Sequence, residues 1–131
     1  MVPLKSPRTL LVIDDEPSVA AVLRRVFSRD VVHVCTDGEE ALVLLETLEP
    51  DVIICDVGLP SLDGPSLYQC LLLQLPDLAS RVLFISGGAC HVVHASFLNK
   101  TTQPHLLKPF SLAQIREAVD GIAEQTLQQA V

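Results

Sequence analysis

The feature that most constrains this chain is a repeated alternation. A short, continuously apolar run is followed by a stretch whose apolar residues recur at helical spacing, several times over. Leu10-Leu11-Val12-Ile13 is such a run, and it suits a strand covered on both faces. After Pro17, well placed in a first helical turn, Val19, Val22, Leu23, Val26 and Phe27 recur at i, i+3, i+4, i+7 and i+8. Residues 31–35 read as a second strand, and Asp37-Gly38-Glu39-Glu40 has the form of a capping box. It opens a helix with Ala41, Leu44, Leu45 and Leu48 on one face. Residues 51–55 are the third strand, followed by a Gly/Pro-punctuated loop over 58–65 and a helix over 66–75. Residues 81–85 are the fourth strand, 91–99 a weakly patterned helix and 105–107 a last short strand. Ser111 to Gln114 cap a final helix whose Leu112, Ile115, Val119 and Ile122 share a face. The expected organisation is a loose segment over 1–8, one domain over 9–125 and a tail over 126–131.

Five strand–helix pairs in strict alternation imply a parallel sheet with helices on both faces and right-handed crossovers. In such α/β sheets the site lies beyond the carboxyl ends of the strands, at the switch point of the strand order. Asp14, Asp15 and Glu16 follow the first strand, Asp56 the third, Ser86 the fourth, and Lys108-Pro109 the fifth. Singly, each has an ordinary explanation as helix cap, turn residue, loop residue or surface charge. Together, at one end of one sheet, they make a site. Thr36-Asp37-Gly38, after the second strand, read as capping chemistry away from it.

Two carboxylates about 5 Å apart repel by about 3 kcal/mol at an effective dielectric of about 20, so such a cluster calls for a cation. All-oxygen ligands suit Mg²⁺ or Mn²⁺. With a lysine and a hydroxyl alongside, the pocket accepts a phosphoryl group despite its acidity, and Asp56 is the natural nucleophile.

Composition narrows the partners. The 131 residues carry 9 Lys+Arg against 16 Asp+Glu, a net charge of −7, which argues against direct binding to nucleic acid or an anionic membrane. A 49% apolar content is ample for a core, and no apolar run approaches the roughly 18 residues of a membrane span. The N-terminus lacks the apolar core of a secretory signal, so the cytoplasm is the expected location. The four cysteines at 35, 55, 70 and 90 form no C-x-x-C pair and read as buried small hydrophobes. Cys90, His91 and His94 fall short of a complete zinc ligand set. Leu71, Leu72 and Leu73 do not all fit inward, so at least one is exposed or part of an interface.

These residues resemble the receiver domain of two-component response regulators. Val12-Ile-Asp-Asp-Glu-Pro17 is similar to the family's acidic first loop, Asp51-Val-Ile-Ile-Cys-Asp56 to its phosphoacceptor strand, and Leu59-Pro60 with Leu62-Asp63-Gly64 to the loop that follows. Leu83-Phe-Ile-Ser86-Gly87 resembles the switch-hydroxyl strand, and Leu107-Lys108-Pro109-Phe110 the lysine motif with its cis-proline. The resemblance covers about residues 9 to 125. It implies a flavodoxin-like, doubly wound α/β fold, a five-stranded parallel sheet in the order 2-1-3-4-5 with five helices.

The resemblance further implies that Asp56 takes a phosphoryl group from a histidine kinase or phosphotransfer domain, with slow hydrolysis afterwards. Asp15, Asp56 and the Gly58 backbone carbonyl would ligate Mg²⁺, with Asp14 acting through water. Ser86 and Lys108 would contact phosphoryl oxygens, joined by the backbone amides of Val57 and Gly87, and would bias a two-state surface read by an output partner or domain. The last helix and its neighbours are the candidate homodimer and output face.

Three departures stand out. His105 occupies the place of an aromatic residue three before the lysine, which puts the coupling of the switch in question; a ring nitrogen there offers a pH-sensitive variant of it. Gly58 and Gly88 lie two beyond Asp56 and Ser86, leaving no side chain there to shield attacking water, so unremarkable hydrolysis is expected. The segment from Ala95 to Phe110 resembles receivers attached to bacterial hybrid histidine kinases, so both a free-standing receiver and a part of a larger protein fit. No output module of domain size is recognisable after the last helix. Two enzymatic or redox rivals fail on single features. An aspartyl phosphatase is expected to carry a general-acid Asp where Gly58 stands, and a flavin carrier a Ser/Thr/Gly-rich loop where Asp14-Asp15-Glu16 stand. A non-phosphorylated interaction domain with this fold is the third alternative, opposed by the complete acidic set.

Overall fold

Each of the five strands ends at the same edge of one parallel sheet, in the order β2-β1-β3-β4-β5. The strands are β1 (Thr9–Ile13), β2 (Val31–Cys35), β3 (Val52–Asp56), β4 (Val82–Ser86) and β5 (His105–Leu107). The computed structural model describes residues 7–129. Every residue of β3 and β4 is buried, as their unbroken apolar sequences require of strands covered on both faces. The pleat divides them. Leu11, Ile13, Ile53, Cys55 and Phe84 face one helical layer, while Leu10, Val12, Ile54, Leu83 and Ile85 face the other.

The helices are α1 (Pro17–Val26), α2 (Gly38–Leu44), α3 (Gly64–Gln74), α4 (Pro76–Ala79), α5 (Gly88–Val93), α6 (Ala95–Lys100) and α7 (Leu112–Gln129). α1 and α7 cover one face with Leu23, Phe27, Ile115, Val119 and Ile122. α2, α3, α4 and α6 cover the other, where Tyr68, Phe84 and Phe97 meet edge to face with ring centroids 5.1–6.2 Å apart.

Seven helices thus replace the expected five. Leu75 precedes Pro76, which disfavours helical backbone at Leu75, so α3 stops and α4 begins at the proline. The single weak helix expected over 91–99 is two, separated at His94. α3 starts at Gly64, two residues before the expected 66, because Asp63 caps it by accepting from the Ser66 amide at 2.9 Å. The expected caps form: Asp37 accepts from the Glu40 amide at 2.8 Å, and Ser111 and Gln114 cap reciprocally at 2.8 and 3.1 Å.

Arg8, placed in the loose segment, is tied to Asp30 at 2.9 Å and to Asp120 of α7 at 2.7 Å; residues 1–6 of that segment lie outside the described residues. α7 continues past 125, and its buried Thr126 bonds to the Asp51 carbonyl at 3.1 Å, so the expected tail is largely part of the domain. Leu71 is fully buried while Leu73 is 76% exposed, which resolves the leucine run. Among the described residues no helix is long and apolar enough to cross a membrane. All four cysteines are free: Cys35 and Cys55 are buried, but Cys70 and Cys90 only half so. Burial pushes the Cys35 thiol up to about 11, with neighbouring Glu40 and Asp37 adding to the effect.

Candidate functional site

The carboxyl ends of β1, β3, β4 and β5 open onto one cleft of about 610 Å³, walled by Glu16, Val19 and Val22 on one side and Lys108, Pro109 and Phe110 on the other. Val22, read as a core position of α1, is instead 48% exposed at this cleft. The loop after β1 and the last residue of β3 bring Asp14, Asp15 and Asp56 together, with one carboxylate oxygen from each lying within 4.8 Å of the others. Asp14 is 1% and Asp56 5% exposed, whereas Asp15 is open to solvent.

Lys108 reaches across from the end of β5. Its Nζ donates to Asp14 Oδ2 at 2.8 Å and to Glu16 Oε1 at 3.2 Å, and lies 3.6 Å from Asp56 Oδ2. Burial opposes the charge on this ammonium, but the hydrogen bond to Asp14 and the charges of Asp56 and Asp14 outweigh it and raise its pKa. Asp56 is pushed up by burial and then by the Asp14 charge, against the pull of Lys108 and the Gly58 amide. A single ammonium therefore balances the acidic cluster incompletely. The donor set is oxygen only and gathered at one point, which fits a hard divalent cation such as Mg²⁺ or Mn²⁺.

Backbone geometry supports part of the expected set and corrects part of it. The Lys108–Pro109 peptide is cis. The Val57 amide donates to the Ile85 carbonyl at 3.0 Å, so it closes the β3–β4 ladder and is not available to a group on Asp56. The amide directed at the Asp56 carboxylate is that of Gly58, at 3.4 Å from Oδ1. Gly87 lines the cleft, and a Cβ there would stand 3.0 Å from the Lys108 Cβ, so the lysine stem packs against its backbone.

Ser86 is fully buried at the end of β4, and its Oγ hydrogen-bonds His91 Nδ1 at 2.9 Å. His105, the expected switch position, is exposed on β5. The expectation that nothing shields Asp56 at Gly58 also changes. A Cβ added to Gly58 would collide with Cys90 Sγ, so a thiol from α5 fills the space that a side chain at 58 would take. Glu16 and Cys90 thus line the cleft, and His91 bonds to Ser86 at the end of β4, without a role in the expected site. Glu16 stood in the acidic run and was open to that reading, whereas Cys90 and His91 drew notice only as an incomplete zinc ligand set on a weakly patterned helix.

A family model described as the response regulator receiver domain matches residues 10–120. The chain is 32% identical over 121 residues to the alkaline phosphatase synthesis transcriptional regulatory protein PhoP of Bacillus subtilis, covering 91% of this chain and 50% of that protein. It is 33% identical over 126 residues to the sensor kinase CckA of Brucella abortus, covering 93% of this chain and 13% of that one. Among solved structures, the receiver domain of a Francisella response regulator superposes with a TM-score of 0.76 at 30% identity, covering 91% of this chain and 98% of that chain. The chain spans half or less of the length of these two curated relatives.

Proposed function

We propose, from the premise that this chain belongs to the response regulator receiver domain family, that Asp56 is the residue through which it acts as a phosphoacceptor signalling domain. The observation that carries this reading is the grouping of Asp14, Asp15 and Asp56 oxygens within 4.8 Å beside Lys108 Nζ, with Asp56 at the end of the central strand β3. Asp56 Oδ attacks phosphorus of a phosphohistidine on a histidine kinase or phosphotransfer domain. The P–N bond breaks as the P–O bond forms, and the departing imidazole takes a proton from solvent. Water attack on the acyl phosphate later releases inorganic phosphate and regenerates the carboxylate.

Asp15, Asp56 and the Gly58 carbonyl, with Asp14 through water, would hold the divalent cation, which when bound neutralises phosphoryl oxygens. Lys108 leaves its bond to Asp14 to pair with a second oxygen. Ser86 donates its hydroxyl proton to a third, and the Gly58 and Gly87 amides supply further donors. Cys90 beside Gly58 restricts the approach of water from α5. An acidic surface suits a protein partner that reads this state, and the last helices remain the candidate surface for an output partner or a homodimer. A location in the cytoplasm belongs to the same reading, and both a free-standing receiver and a receiver within a longer kinase fit it.

Intact mass after incubation with Mg²⁺ and acetyl phosphate tests it. A phosphoryl adduct on wild type that needs Mg²⁺ and is absent from Asp56→Asn is expected. A folded wild-type protein that takes up no phosphoryl group from acetyl phosphate or from a kinase donor overturns the reading.

A further inference from the structure

The Ser86–His91 contact joins the cleft to a helix that little else holds. α5 buries none of its six residues, its N-cap Gly87 gives no side-chain cap, and Val92 and Val93 are 74% and 75% exposed. Two side chains tie it to the cleft: His91, through Nδ1 to Ser86 Oγ at 2.9 Å, and Cys90, packed over Gly58. A serine hydroxyl has one proton to give, and a phosphoryl oxygen only accepts. The same proton therefore cannot serve His91 and a phosphoryl group at once.

We propose that His91 is a positioning residue for Ser86: its Nδ1 accepts the Ser86 proton in the unphosphorylated domain, and phosphorylation of Asp56 takes that proton away and releases α5. The inference rests on the reading of Asp56 as phosphoacceptor. It assigns His91 the role of a latch. The bond holds the hydroxyl in the resting orientation and draws α5 against the cleft, so the population with Ser86 turned toward Asp56 is lowered by the strength of that one bond. When Ser86 turns, the helix loses one of its two ties, and no burial compensates. The charge at Asp56 is thereby converted into freedom of a surface helix. The exposed His105 on β5 is not needed for this step.

Two arms test it on the 131-residue chain, with beryllofluoride and Mg²⁺ as the phosphoryl mimic. In the first, ¹⁵N spectra of the His91 ring are recorded without and with the mimic. Ser86→Ala is expected to move the Nδ1 resonance of wild type, and saturating beryllofluoride to move it in the same direction; a resonance indifferent to both overturns the latch. In the second, the half-saturating beryllofluoride concentration is measured. His91→Leu is expected to lower it about fivefold, the scale of one net hydrogen bond. His91→Asn, whose amide oxygen reaches the place of Nδ1, restores the wild-type value, and His91→Leu has no effect in a Ser86→Ala background. An equal change in the Ser86→Ala background shows that His91 acts by packing and overturns the proposal. Beryllofluoride failing to bind wild type at all overturns instead the phosphoacceptor reading on which it rests, and that outcome is visible before any His91 variant is made.

Discussion

The two corners of the cleft are held by different means. At one, Asp14 and Asp56 stand at the ends of β1 and β3, in the middle of the sheet, and a single lysine reaches them and Glu16 within 2.8–3.6 Å. At the other, Ser86 stands on an equally buried strand, but its partner His91 rides on a helix with no buried side chain. The difference teaches how such a domain divides its work. On the proposed function, groups that must meet a reacting phosphorus are fixed by the core, whereas the group proposed to report the reaction is attached where local opening costs little.

Lys108→Ala breaks the first corner and has the largest expected effect. It leaves the buried Asp14 and Asp56 carboxylates without their ammonium, so urea unfolding in metal-free buffer should show a loss of about 3 kcal/mol. Mg²⁺ should recover part of that loss by taking over the neutralisation. The initial rate of adduct formation from acetyl phosphate should fall about 100-fold. Unchanged stability would mean that the lysine does not hold this corner.

Gly58→Ala attacks the seam between the corners, since its Cβ meets Cys90 Sγ. Overpacking there should cost about 1–2 kcal/mol, and Cys90→Ala in the same chain should recover most of it. Simple addition of the two losses, measured by the same unfolding assay, would place Cys90 elsewhere.

Asp56→Asn sharpens the account of the charged corner with the opposite sign. Burial and Asp14 raise the Asp56 pKa above the ordinary aspartate value of 3.8, so the folded state binds this proton more tightly than the unfolded chain does. Stability in metal-free buffer therefore falls as pH rises from about that value through the raised folded pKa, and the deficit persists at neutral pH. Asn carries no such charge. Its melting temperature in EDTA at pH 7 should exceed that of wild type, and the gap should close below pH 4. A gap that widens in acid would reverse the assignment of the shift.

The smallest effect belongs to the loosely held corner. Val93→Ser should change global stability by less than about 0.5 kcal/mol, because the side chain is already 75% exposed. A loss of several times that amount would show α5 to be part of the cooperative core.

Much of the fold and of the site was legible because its signals are local. A continuously apolar β-branched run such as Leu10–Ile13 or Val52–Cys55 has one stable use, a strand covered on both faces, and the alternation with helical stretches leaves a parallel sheet as the layered solution. Once that is granted, Asp14, Asp15, Asp56, Ser86 and Lys108 must lie at one edge, since each ends a strand or stands within two residues of its end. Helix number was less legible. Pro76 and His94 interrupt stretches whose apolar pattern tolerates one long helix or two short ones.

By itself, then, the sequence determined the sheet, the edge that carries chemistry and the residue types gathered there, because strand periodicity and residue order suffice for them. The tertiary structure alone decided which groups touch. The Val57 amide goes to the Ile85 carbonyl because β3 and β4 stay paired one residue further than β3 itself extends. Cys90 fills the space beside Gly58, and His91 takes the Ser86 hydroxyl, because of where a six-residue helix with no fully buried residue comes to rest. Thr126 joins the core by reaching a carbonyl 75 residues earlier in the chain. Contacts of this kind depend on the rotation and placement of one element against another, and no local pattern of residues encodes them.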